Sequence, residues 1–271
     1  MTSRLKIVLP AVALTVACSL GAFGLGVVAG GGTANPDEES ALSGAAVQAL
    51  TTSGDTVQLT SSQLKVAEEN SEPLEPEDAI FASNLDLTEA EVVERSAEVG
   101  ESYEIGESVT LEDLEFLRIY AFSAEDTQSA PVVSVAHSPA DDSSIELASA
   151  QTFPFNATRT VFGTTANITG SVTANVGTGI SSSWSTTWTA KRVSGTSLTK
   201  IKSQAHVYAY GLTSVAPYVG LIYEAHPYAT LAAQSMGFSR TANFSGITYY
   251  MTIDAVSTFY SSAGSFQISG F

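Results

Sequence analysis

Residues 172–190 read VTANVGTGISSSWSTTWTA. The even positions Val172, Ala174, Val176, Ile180, Trp184, Trp188 and Ala190 are apolar, and the odd positions Thr173, Asn175, Ser181, Ser183, Ser185 and Thr187 carry hydroxyl or amide groups. A repeat of two is the side-chain period of a β-strand with one dry face and one wet face. Nineteen residues exceed an ordinary strand, so Gly177 and Gly179 are expected to bend or turn the run.

The same chemistry continues around this stretch. Residues 151–271 are rich in Thr, Ser, Gly, Val, Ile and Tyr, which favour strands and turns. Further apolar-rich runs lie at 200–210, 219–225, 229–238, 247–259 and 266–271, separated by Gly, Pro, Ser or Asn. The expected fold class is therefore mainly β: a C-terminal antiparallel β-sandwich or small barrel, preceded by an acidic region that is partly helical and partly disordered.

Charge divides the chain at the same place. Of 28 Asp and Glu residues, 26 precede residue 151, and only Glu224 and Asp254 follow it. The second half holds six cations: Arg159, Lys191, Arg192, Lys200, Lys202 and Arg240. A formal charge of -17 disfavours nucleic acid and a bare anionic bilayer as partners of the whole chain.

Within the acidic part, residues 35–86 read as a low-complexity linker, with one fragile helix near 41–50 and a self-repelling, Pro-containing spacer over 68–78. Residues 87–150 read as a helical, pro-region-like segment. Thr88-Glu89-Ala90-Glu91 has the hydroxyl and carboxylate spacing of a capping box, and Thr110 to Asp113 repeats it with Asp in the last place. Two short helices are expected, joined by residues 100–106 and packed on the C-terminal half, because helices of this length are marginal alone. A brief strand is expected at Val132 to Val135.

The N-terminus carries Arg4 and Lys6 ahead of an uncharged run over residues 7–32. That is the pattern of an export signal, and the run is also long enough to serve as an anchor. Residues 1–34 are thus expected to be a signal peptide or signal anchor, with cleavage candidates at Ala29 and Ala34 or retention through residues 7–29, and the remainder secreted or extracytoplasmic. The single cysteine, Cys18, lies in that run, so no intrachain disulfide can form.

Candidate chemistry is sparse. Glu224 and His226 share a strand face, and His206 on a neighbouring strand would complete a three-ligand metal set, although half-buried histidines in a Tyr-rich sheet give the same pattern. Trp184 and Trp188 share one face and form either a core ridge or an aromatic binding platform. No nucleophile elbow, metalloprotease helix or phosphate loop is found, so no catalytic residue and no cofactor is indicated.

Two functions follow from different classes. One is a secreted or cell-surface non-catalytic binding module, with another protein, a wall polymer, a membrane surface or its own copies as partner. The other is a membrane-active toxin or antimicrobial protein whose acidic pro-region masks a cationic β domain. A hydrolase with a scattered site is a third alternative.

Overall fold

The computed structural model describes residues 47–123, 150–176 and 181–270. The 172–190 run forms the ends of two antiparallel strands, β5 (Thr164–Asn175) and β6 (Ser181–Gly195). Ala174 lies opposite Trp184, and Val172 opposite Thr186. The even positions of both strands face the interior: Val172, Ala174, Val176, Trp184, Trp188 and Ala190 are all buried.

These strands belong to a four-stranded sheet, completed by β4 (Gln151–Val161) beside β5 and β10 (Ser235–Ser245) beside β6. A second sheet faces it. Its path is β12 (Gly264–Ser269), β11 (Thr248–Ser261), β7 (Leu198–Leu212) and β8 (Val219–Ala225). Two short strands complete it: β3 (Phe122–Ser123) pairs with β11, and β9 (Tyr228–Leu231) pairs with β7. All strand pairs in both sheets are antiparallel. The inner faces share one core that runs from Ile168 and Trp188 of the first sheet to Ile201, Val207, Met251 and Phe259 of the second. The chain is mainly β with two open antiparallel sheets; the barrel alternative does not occur, because neither sheet closes on itself.

Between the sheets the few polar groups are paired. Trp188 Nε1 donates to Ser257 Oγ at 3.0 Å, Ser257 bonds Ser203 at 2.9 Å, and Ser182 Oγ donates to Thr248 Oγ1 at 2.9 Å. Each bond ties a strand of one layer to the other layer, or supports a group that does, so buried hydroxyls cost little here.

The acidic part is joined to this unit. A hairpin of β1 (Gln48–Leu50) and β2 (Thr56–Gln58) comes first, so the expected helix over 41–50 is replaced at its end by a strand. The expected spacer over 68–78 begins inside helix α1 (Ser61–Asn70), which Thr60 and Gln63 cap reciprocally. Helix α2 (Glu89–Glu101) starts at the Thr88–Glu91 capping box, and α3 (Leu111–Tyr120) at Thr110, whose hydroxyl accepts the Asp113 N–H. The Thr88 hydroxyl and amide hold the Glu91 carboxyl below its usual range.

The helical segment covers the outer face of the six-stranded sheet. Val99, Val109, Leu114, Phe116 and Leu117 pack on Tyr208, Tyr210, Val219, Leu221 and Tyr250. Each such aliphatic or aromatic side chain contributes about 1.5–3 kcal/mol on burial. Backbone bonds from Gly106 N to Leu221 O (2.7 Å), Leu221 N to Glu107 O (3.0 Å) and Val109 N to Val219 O (3.0 Å) seal the free edge of β8. The described residues from Gln48 onward cluster as one compact unit. The single expected run over 229–238 is divided between β9 and β10. The Val132–Val135 strand lies outside the described residues.

Gly170 shows how tightly β5 and β6 are matched. A Cβ there would lie 2.1 Å from Thr187 O and 2.4 Å from Trp188 Cβ, whereas one at Gly237 would meet nothing within 4 Å. Gly170→Val is therefore expected to lower unfolding free energy by about 1–3 kcal/mol through overpacking, with Gly237→Ser close to wild type. Denaturant melts check this, and equal midpoints for Gly170→Val and wild type would contradict the packing described.

Candidate functional site

Two surfaces collect the unusual chemistry, on opposite sides of the molecule's layers. The first is the outer face of the four-stranded sheet. Cross-strand register sets its side chains in rows: Thr152, Thr173, Ser185 and Thr241; then Pro154, Ser171, Thr187 and Ser239; then Asn156, Thr169, Thr189 and Gly237. A further row holds Asn175, Ser183 and Asn243. Hydroxyls and amides fill it because the odd positions of β5, and those of β6 from Ser181 to Thr189, are all Ser, Thr or Asn.

The array is bonded to itself. Thr152 and Thr173 hydroxyls are 2.9 Å apart, as are Thr160 and Thr165. Asn167 Nδ2 donates to Asn156 Oδ1 (2.7 Å) and Thr158 Oγ1 (2.9 Å), and Thr169 Oγ1 donates to Asn156 Oδ1 (2.9 Å). Thr169, Thr187, Thr189, Gly237 and Ser239 line a shallow depression, with the cation Arg240 at its border, and the missing side chain of Gly237 helps to open it. These rows hold no charged residue, and the next row, Thr158, Asn167, Lys191 and Ser235, holds one.

The second surface is a cavity of ≈ 540 Å³ between the helical segment and the outer face of β7 and β11. Val92, Val93, Ala97, Tyr120 and Phe122 make its walls, and His206, Tyr208, Thr252 and Asp254 its polar end. Asp254 lies opposite His206 in the β7–β11 register. Its Oδ2 is 3.9 Å from His206 Nδ1, and its Oδ1 accepts the Ser269 hydroxyl at 2.8 Å.

Burial dominates the ionisation of this group. It pushes the His206 imidazole below its ordinary value against the pull of Asp254, and it raises the Asp254 carboxyl against the Ser269 hydrogen bond. The Tyr208 phenol is pushed up to about 12, first by burial and then by the Glu101, Glu224 and Asp254 charges. Its hydroxyl has no hydrogen-bond partner among the described residues, although the residue is only 2% exposed. Helix α2 comes so close that a Cβ on Gly100 would lie 2.4 Å from the Tyr208 ring.

The structure brings the three metal candidates into one neighbourhood without making a ligand cage. The His206 and His226 rings are 5.4 Å apart, edge to face, and His226 Nε2 is 3.8 Å from Glu224 Oε2. Among the described residues no group of three His, Cys, Asp or Glu side chains converges to hold a metal ion. The sequence reading missed the pairing of His206 with Asp254, for which only the strand register supplies the signal. Nor is this a nucleophilic triad: Ser269 gives its hydroxyl to the carboxylate rather than to the imidazole, so the order of groups is wrong for activating serine.

Trp184 and Trp188 are each 3% exposed and point into the core, so they form the interior ridge and not an open platform. Their indole N–H groups donate to Tyr223 Oη (3.3 Å) and Ser257 Oγ (3.0 Å). Ala29 and Ala34 lie outside the described residues. Among those described, no helix is long and apolar enough to cross a membrane. No family model matches the sequence, and no curated protein matches it either.

The lone Tyr208 hydroxyl gives a direct check. A buried, unpaired hydroxyl costs about 1–3 kcal/mol, so Tyr208→Phe is expected to leave stability unchanged or raise it by up to that amount. A loss above about 1 kcal/mol in chemical denaturation would show that the hydroxyl is bonded after all.

Proposed function

We propose that this chain is a non-catalytic binding module acting outside the cytoplasm, and that its contact surface is the hydroxyl- and amide-bearing outer face of the four-stranded sheet. The single observation that carries the reading is the near absence of charge from that face in a chain with 28 acidic residues. Solvated protein surfaces ordinarily carry about a quarter to a third charged residues. A face of mostly short, uncharged side chains behaves differently. Hydroxyls cost far less to desolvate than carboxylates or ammonium groups. Ser, Thr and Asn also lose little rotamer freedom on contact, and the cross-strand bonds have already fixed several of them.

The face repeats donors and acceptors at strand spacing, about 4.8 Å across strands and roughly 6.8 Å along them. It presents no aromatic ring, since both tryptophans point inward. The partner chemistry that suits such a lattice is an uncharged, hydroxyl-rich polymer lying flat, such as a neutral wall glycan, held by many weak hydrogen bonds. The cationic and apolar N-terminus, which has the pattern of an export signal, supports a location where such polymers occur.

Co-sedimentation of the full chain with insoluble neutral polysaccharides tests the reading. The expected outcome is pelleting that persists at high salt and is abolished in Thr169→Lys/Thr187→Lys with an unchanged melting curve. Equal pelleting of the double variant, or release of dye from lipid vesicles in place of polymer binding, would contradict it; vesicle leakage would favour the membrane-active alternative.

A further inference from the structure

The cavity over β11 sits at a break in the sheet. On one edge β11 pairs with β3 at Tyr250 and Met251, and with β12 from Val256 onward, so residues 252–255 face no strand among those described. Gly270 N–H donates to Ala255 O at 2.8 Å, which puts the Ala255 main chain on that edge. Strand alternation puts the Ile253 N–H and C=O there too. The cavity over this break is ≈ 540 Å³, within the size range of small-molecule sites.

Its lining is of two kinds. Val92, Val93, Ala97, Phe122 and Phe155 supply apolar lining, and Asp254, Tyr208 and Thr252, which are neighbours in the β7–β11 register, supply polar lining. No Lys or Arg lines the cavity among the described residues, although Lys202 lies near enough to His206 to disfavour its protonation. No Lys or Arg is in ion-pair contact with Asp254 among the described residues. The connection over 124–149 contains neither residue type. His206 is the one ring nitrogen near the carboxylate, at 3.9 Å, and burial favours its neutral form. Glu101 and Glu224 add negative potential at Tyr208, whose buried hydroxyl has no hydrogen-bond partner among the described residues.

We propose that this cavity binds an organic ammonium ion with an apolar body. Its N–H groups meet the Asp254 carboxylate and the Tyr208 hydroxyl, and its hydrocarbon lies against α2 and Phe122. A carboxylate ligand would oppose Asp254 at close range, and a neutral alcohol would leave that buried charge uncompensated. The site is independent of the polar sheet face, and neither reading depends on the other.

Calorimetric titration of the full chain with octylammonium, octanoate and 1-octanol, all below their aggregation limits, tests this. Octylammonium is expected to bind saturably and raise the melting temperature, and octanoate to do neither. Asp254→Asn should weaken octylammonium at least about tenfold. Ala97→Phe, which fills the cavity and leaves every charge in place, should abolish binding even if Asp254→Asn folds poorly. Octanoate binding as tight as octylammonium, unchanged affinity in Ala97→Phe, or no saturable heat with octylammonium would each overturn the proposal.

Discussion

The structure depends on strands β7 and β11 being dry on both faces where the stretch 207–212 pairs with 248–253. On one side Ile201, Ala205, Val207, Met251, Ile253, Ala255 and Phe259 meet the four-stranded sheet. On the other side Tyr208, Tyr210 and Tyr250 are 0–2% exposed. An antiparallel sheet can leave one face to water when that face is polar. Here the second face carries large aromatic rings, so a further layer has to cover it, and the acidic segment is that layer. Helices of 10 to 13 residues, marginal alone, are held by this surface. The charge division in the sequence thus maps onto layers: acids lie on the covering helices, and the uncharged lattice lies on the opposite sheet.

What the sequence made legible was local. The alternation from Val172 to Ala190 showed strand and put both tryptophans on one face, but it left open whether that face is a core ridge or a binding platform, which only the facing sheet decides. The hydroxyls of Thr88 and Thr110 marked two helix starts. Thr60 and Gln63 have the same spacing and start α1, but the acidic, Pro-containing residues that follow read as a solvated spacer. Composition masked a capping box there.

What was not legible came from register. Period and spacing show which residues share a face of one strand, not which residues of another strand lie opposite. His206 and Asp254 are 48 positions apart and come together only because β7 and β11 pair with that offset. The hydroxyl lattice is a similar case: each strand alone looks like an ordinary half-exposed strand, and only the alignment of β4, β5, β6 and β10 gathers their hydroxyls and amides into one face without an acidic residue. The cavity arises where β3 and β12 fail to meet along β11, a gap that no single segment encodes.

The central claim is that the covering layer and the six-stranded sheet form one cooperative body through the doubly buried β7–β11 pair. Hydrogen–deuterium exchange on the intact chain tests it most directly. Amides of 198–212 and 248–261 should be the slowest to exchange, and those of 111–120 should share their protection, as units that open only in global unfolding do. Rapid exchange of 111–120 while β7 and β11 stay protected would contradict the account, because the helical layer would then be a detachable cover.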